Sequence, residues 1–221
     1  MLNKVKGGLI VSCQALEDEP LFSSFIMGRM AKAAEMVGAV GIRAQGFDDI
    51  KEIKSVVDLP VIGIVKRNYD DSPVFITPTM EEVDELLNTN CEMIALDCTG
   101  RRRPNGENLK SLIEYIKGNG VLVMADISNY EEGLISQELG VDCVSTTLSG
   151  YTEYTDKIKG PDLNLIKQLA KVLKIPVIAE GRIDTPEDLK EVYKSGAYSA
   201  VVGSAITRPQ VIAQKFIDVI K

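Results

Sequence analysis

Residues 59–68 read LPVIGIVKRN: after Pro60 come five positions of apolar chain or glycine, and then two cations. The run is short and rich in β-branched side chains, the composition of a strand covered on both faces. Lysine is among the last residues a protein buries without a partner, so a strand that ends on Lys66 asks for a reason. A second phrase, IPVIAEGRI at 175–183, repeats the pattern and runs into Glu180 and Arg182. Counted from the matched prolines, Lys66 is six positions on and Glu180 four. Both offsets are even, so in equivalent strands the two side chains leave the same face.

Six further runs share this character: GLIVSC (8–13), VGIRA (40–44), MIALDC (93–98), VLVMAD (121–126), CVSTTL (143–148) and AVVGSA (200–205). With VIGIVK (61–66) and VIAEG (177–181) they make eight predicted strands. Helical patterns lie between them, among them 107–118, 162–174 and 185–196. In the last, Thr185 suits an N-cap, Pro186 the first helical position and Gly196 the stop; Thr207 and Pro209 repeat the device before a final helix.

Eight β/α units without a linker or low-complexity tract predict one domain over 1–221. Eight is the number that closes a (β/α)8 TIM barrel, here compact against the usual ~250 residues. An open doubly wound sheet is the structural rival. In a barrel, strands three and seven are both odd-numbered, and alternate strands feed common interior layers. Lys66 and Glu180 would then point into one mouth, either as a catalytic pair or as a structural ion pair.

The chain has no histidine, which excludes a histidine base, a histidine triad and histidine-held metal. Acid–base chemistry near neutral pH must therefore come from Lys, Glu, Asp, Cys or Tyr with shifted pKa values. Lys+Arg 25 against Asp+Glu 32 gives a net charge of -7, which argues against nucleic acid or an anionic membrane as partner but allows a local cationic pocket. The first residues lack the apolar core of a secretory signal, and no later run approaches a membrane span. Cys13, Cys91, Cys98 and Cys143 show no CxxC spacing and read as reduced thiols of a cytoplasmic protein.

Barrel active sites form at the C-terminal strand ends, so polar residues that close apolar strands are the candidates. They are Gln14, Arg43, Lys66, Asp97, Asp126 and Glu180. Any one of them alone also fits a rim residue opening a loop. A phosphate site is expected after strands seven and eight, where Gly181, Arg182, Gly203, Ser204 and Arg208 fall. The glycines there would otherwise serve only as turns. Arg101, Arg102 and Arg103 form either a solvated loop or a substrate clamp, and the long stretch 149–162, bounded by Gly150 and Gly160, suits a lid. Asp97, Asp126 and Glu180 are the only carboxylates placed to hold Mg²⁺, and no spacing supports a metal site.

Together IVSCQAL (10–16), GIRAQG (41–46), IGIVKR (62–67), ALDCT (95–99) with RRRP (101–104), MADIS (124–128), TTLSGYT (146–152), IAEGRI (178–183) and VVGSAITRP (201–209) carry a resemblance. The chain resembles the N-acetylmannosamine-6-phosphate 2-epimerase family from the first strand to the final helix. The resemblance implies a (β/α)8 barrel of bacterial sialic acid catabolism. Such an enzyme interconverts N-acetylmannosamine 6-phosphate and N-acetylglucosamine 6-phosphate without a redox or metal cofactor. It also implies Lys66 as central acid/base with Glu180 beside it. Gln14, Arg43 and Asp126 would hold the sugar, and Gly181, Arg182, Gly203, Ser204 and Arg208 the phosphate.

The residues themselves reach only a phosphorylated small molecule and a Lys/Glu pair. They leave two rivals: a lyase in which Lys66 forms a Schiff base, and a phosphate-sensing barrel without catalysis. For epimerisation, burial near Arg43 or Arg67 would bring the lysine pKa into a useful range, with Lys66 and Glu180 sharing one proton. Arg43 or another donor would face the enolate oxygen. A homodimer is expected, since symmetric dimers are the commonest oligomers.

Overall fold

Val61–Ile64 forms β3, the third of eight strands in a closed parallel barrel ordered from β1 to β8. In the computed structural model, which describes residues 1–220, the others are β1 Leu9–Cys13, β2 Gly41–Gln45, β4 Met93–Asp97, β5 Leu122–Asp126, β6 Cys143–Ser145, β7 Val177–Glu180 and β8 Ser199–Val202. β8 pairs back onto β1, with Ala200 beside Leu9 and Val202 beside Val11, so no strand edge stays open. Closure excludes the open doubly wound sheet.

The helices are α1 Leu2–Val5, α2 Ser24–Met36, α3 Phe47–Val56, α4 Met80–Leu87, α5 Leu109–Gly118, α6 Tyr130–Glu138, α7 Leu163–Val172, α8 Pro186–Lys194, α9 Ser204–Thr207 and α10 Pro209–Asp218. Local chemistry explains several starts. Thr79 and Glu82 form a capping box on α4, and Thr185 with Asp188 forms one on α8, whose first residue is Pro186. The Thr207–Pro209 device differs from expectation. Arg208 is the N-cap of α10, while the Thr207 hydroxyl donates to the Ser12 carbonyl at 2.8 Å and so ties α9 to β1.

Strand parity divides the core in two. Val123 and Ala125 of β5 face the helices, whereas Met124 packs inside the barrel with Ile10, Ile62, Ile64, Met93 and Ile178. α1 sits under this inner layer, where Val5 is fully buried. On three strands the inner parity ends in a charged group at the C-terminal end: Arg43 after Ile42, Asp126 after Ala125, Glu180 after Ala179. An apolar interior with charges at that end gathers those groups at one mouth of the barrel.

β3 ends two residues earlier than the sequence suggested. Its ladder stops at Ile64, and Lys66 instead bridges Ile76 in an antiparallel pair. The chain between them leaves the barrel and returns, held where the Thr77 N–H donates to the Val65 carbonyl at 2.7 Å. Thr77 takes the left-handed conformation (φ 45°). Arg103 holds this return by donating to the Thr77 carbonyl at 2.7 Å, the Pro78 carbonyl at 3.0 Å and the Asp97 carbonyl. β6 is also shorter than its phrase, and Thr146–Leu148 leave the ladder over the mouth.

Gly63 sets how closely α3 and α4 approach β3. A Cβ there would stand 2.9 Å from the Cys91 sulfur, 2.9 Å from Leu86 Cδ2 and 3.1 Å from Ile50 Cδ1. Gly63→Ala is therefore expected to overpack this layer and cost about 1–3 kcal/mol. Urea unfolding followed by circular dichroism measures it, and an unchanged midpoint would show that the helices yield freely.

Candidate active site

A cavity of about 470 Å³ opens at the C-terminal strand ends. Gln14, Arg43, Lys66, Glu180, Gly181, Arg182, Gly203, Ser204 and Arg208 line it, together with apolar Ile64, Phe75, Ile76, Leu148 and Val201. Asp97 and Asp126 do not. Both are fully buried below the floor, and each serves an arginine. Asp97 pairs with Arg101 at 2.5 Å and accepts from the Thr99 hydroxyl at 2.6 Å. Asp126 holds Arg43, so it orients a cavity residue where contact with a sugar was expected.

Arg43 is the hub. Its guanidinium grips Asp126 in bidentate fashion at 3.0 and 2.6 Å, and its Nη1 also reaches Glu180 at 2.9 Å. The side chain is 1% exposed, so this charge is stabilised by carboxylates and not by water. Arg43 Nε finds no acceptor. Two hydroxyls complete the cluster: Thr147 Oγ1 lies 2.7 Å from Asp126 and 3.1 Å from Glu180, and Ser145 Oγ lies 2.8 Å from Thr147.

Lys66 extends from the segment after β3 into the same space. It forms no ion pair among the described residues, so the structural-ion-pair alternative with Glu180 does not hold; Glu180 pairs with Arg43. Burial drives the Lys66 pKa down to about 8, helped by the positive charges of Arg43 and Arg208, while Glu180 and Asp126 pull it back up. The second helper is Arg208 and not Arg67, which turns outward to Glu82 and Glu85. Glu180 moves the other way. Burial raises its pKa and the Asp126 charge adds to the rise, against Arg43, the Thr147 hydroxyl and Lys66.

The opposite pole carries the glycines and two arginines. Gly181 takes φ 101°, open to a residue without Cβ, and Arg182 follows in the left-handed region at φ 53°. The Arg182 guanidinium is committed to the loop after β6. It donates to the Gly160 carbonyl at 2.8 Å and the Ser149 carbonyl at 2.7 Å, and stacks on the Tyr151 ring at 5.1 Å. It thus pins both ends of the stretch expected to be a lid. Arg208 meets Glu19 through two contacts of 2.8 Å and approaches the Ser204 hydroxyl at 3.4 Å. Gln14 donates to the Ser12 hydroxyl at 2.8 Å.

Of the triple arginine only Arg102 is exposed as a solvated loop would have it, and the three form no clamp on the cavity. Arg101 and Arg103 turn inward to Asp97 and to backbone carbonyls, and none of the three lines the cavity. Among the described residues no cluster of His, Cys, Asp and Glu has the geometry of a metal site. Sequence reasoning missed Ser12, Glu19, Ser145 and Thr147. The last two sit in a phrase, STTL, that reads as continuing strand, and counting by twos from the inward-facing Cys143 is the signal that could have found them.

A family model described as "Putative N-acetylmannosamine-6-phosphate epimerase" matches residues 27–221. A relative from Clostridioides difficile (strain 630), which carries the corresponding 2-epimerase name, is 69% identical over 100% of this chain and 99% of its own. One from Clostridium perfringens (strain SM101 / Type A) is 65% identical over the full length of both. The solved structure of the N-acetylmannosamine-6-phosphate 2-epimerase from Clostridium perfringens superposes with a TM-score of 0.98 at 64% identity, covering 99% of this chain and 96% of that one. A thiamine phosphate pyrophosphorylase from Pyrococcus furiosus, with TM-score 0.65 at 20% identity, shares the barrel alone. With its barrel, its floor of paired charges and full-length relatives at this identity, the chain belongs to the N-acetylmannosamine-6-phosphate epimerase family.

Proposed function

We propose that this protein interconverts N-acetylmannosamine 6-phosphate and N-acetylglucosamine 6-phosphate by removing and returning the proton on C2, without a cofactor. The observation that carries the reading is the unpaired amine of Lys66, lowered to about 8, beside a carboxyl at Glu180 that is raised. The two groups approach each other in proton affinity, which is the condition for sharing one proton. The C2 hydrogen is acidic only when C1 is an aldehyde, so the sugar reacts in its open form. Neutral Lys66 takes that proton, the electron pair moves to the C1 oxygen, and a proton delivered to the other face of C2 completes the inversion. Return from Lys66 and supply from Glu180 both balance.

The enolate oxygen needs a donor. Arg43 Nη1 spends both N–H groups on Asp126 and Glu180, which leaves the second N–H of Nη2, the N–H of Nε, the second amide N–H of Gln14 and the new ammonium of Lys66 as donors. Gly181, Gly203, Ser204 and Arg208 at the far pole suit the 6-phosphate, and an anchored phosphate holds C2 at the Lys66 end. Arg182 serves this pole by fixing its loop. The same reading sets the reaction in sialic acid catabolism in the cytoplasm. Four buried free thiols suit a reducing compartment, and among the described residues no helix is long and apolar enough to cross a membrane.

Turnover of N-acetylmannosamine 6-phosphate in chelator-treated D2O, followed by proton NMR, tests the chemistry. Product with deuterium at C2 is expected, because amine protons exchange with solvent. Lys66→Met, which keeps the apolar stem, is expected to lose ~10³-fold or more in turnover with the fold intact. Cleavage to smaller fragments would replace the epimerase with the Schiff-base lyase, and absence of product and label would leave a sensing barrel. Activity of Lys66→Met within about threefold of wild type, far from the ~10²–10⁴ of general-base catalysis, would remove the lysine from the mechanism.

We also propose a homodimer. α10 buries none of its residues, and Phe216 within it is 72% exposed and its C-cap Val219 81% exposed, apolar surface that a monomer would present to water. Light scattering coupled to size exclusion is expected to give twice the chain mass, and a monomer at micromolar concentration would dismiss the idea.

A further inference from the structure

Thr147 stands between the two carboxylates of the site and has one proton to give. Its oxygen is 2.7 Å from Asp126 Oδ1, 3.1 Å from Glu180 Oε2 and 2.8 Å from the Ser145 hydroxyl. Asp126 is already held by both terminal nitrogens of Arg43 and is fully buried. Glu180 shares one of those nitrogens, and its side chain is 14% exposed. A hydroxyl donates one hydrogen bond and accepts up to two, so it can serve either carboxylate but not both at once.

We infer that Thr147 is a positioning residue that turns its proton toward Glu180 when that carboxylate is charged and toward Asp126 when Glu180 is protonated. The inference rests on the proposed Lys66–Glu180 pair. With Glu180 charged, its Oε2 accepts from Arg43 and from Thr147, while the Ser145 hydroxyl donates to the Thr147 oxygen. With Glu180 protonated, its O–H donates to the Thr147 oxygen and Thr147 donates to Asp126. No proton leaves the threonine oxygen in either arrangement. One rotation about the C–O bond therefore keeps Glu180 partnered on both sides of the proton transfer, in a place where an orphaned polar group is costly.

The groups facing Glu180 are Arg43 from β2, Lys66 from the segment after β3, Asp126 from β5, and Ser145 and Thr147 from β6 and its loop. Of these, Thr147 is the neutral group that favours the charged form by hydrogen bonding, alongside the cations Arg43 and Lys66. Removing its hydroxyl takes a charge-assisted bond from the carboxylate and only a neutral one from the protonated form, while Asp126 keeps both bonds to Arg43, so the larger loss falls on the charged state. The Glu180 titration must then move upward.

The test is carbon NMR of the enzyme with ¹³C-labelled glutamate carboxyls, the Glu180 signal being assigned by its loss in Glu180→Gln. In Thr147→Val the Glu180 titration is expected about half to one pH unit above wild type, the worth of one net hydrogen bond. Thr147→Ala, also without the hydroxyl, is expected to shift likewise, and Thr147→Ser, which keeps it, to titrate with the wild type. The acidic limb of kcat/KM is expected to follow the NMR value. An unshifted titration in Val and Ala, or a Ser variant that shifts as far as they do, overturns the inference. The carboxyl signal is read without turnover, so a shift in a protein that lacks epimerase activity would sink the catalytic reading and leave the role of Thr147 standing.

Discussion

Arg43 carries a permanent positive charge at the floor of the cavity, and Asp126 and Glu180 share it. Asp126, fully buried and bidentate, cancels that charge almost completely. What remains is Glu180 and Lys66 with room for one proton between them. Ammonium with carboxylate and amine with carboxylic acid are both neutral arrangements, so moving the proton changes no net charge in a poorly solvated site. A free carboxylate beside a free ammonium in water would differ in proton affinity by about six pH units. Burial narrows the gap from both sides, since it disfavours the charged form of each. The fixed pair beneath them makes the narrowing tolerable, because the site never holds an uncompensated charge.

The loops around this floor are coupled through arginines that face the cavity. Arg182 joins β7 to both ends of the loop after β6, and Arg208 joins the start of α10 to Glu19 in the loop after β1. Each link spans segments far apart in sequence, which loop-closure entropy alone would leave mobile. An anion arriving near Gly203 and Ser204 meets Arg208 already oriented by a carboxylate. The Glu19 carboxylate also tempers the local field, so Arg208 is no bare cation when the cavity is empty.

Much of the architecture is legible in the sequence because strands covered on both faces must be largely apolar, as VIGI is throughout and VIAE and SAVV are at all but one position each. The parity count from the prolines reaches the inner layer for Lys66 and Glu180 because the side-chain period of a strand is fixed at two. Prediction fails where the backbone stops obeying that period. β3 ends at Ile64 because the chain after it returns to pair Lys66 with Ile76, a contact between segments that no local pattern encodes. β6 ends at Ser145 although Thr146 and Thr147 are good strand residues, and in a run of Ser and Thr polarity alone does not single out the two hydroxyls that share the inward parity of Cys143. RRRP misleads for a different reason. Arg103 is buried by three backbone carbonyls, and acceptors of that kind leave no trace in side-chain composition.

The choice of lysine at 66 follows from the same constraints. In the proposed mechanism the base must reach the cavity from a segment two residues beyond the end of its ladder, and a four-carbon stem supplies that reach. Arginine would stay charged at every accessible pH and could never accept a proton. A carboxylate there would add a third negative charge to a floor whose cation is already divided between two. Lysine starts too basic, but burial and like charge both lower it, and both are present: an apolar wall from Ile64, Ile76 and Val201, and the guanidinium groups of Arg43 and Arg208. On that reading the lysine just beyond β3 has its reason. The low-dielectric surroundings that make a lysine improbable at that place are the ones that make its amine a base.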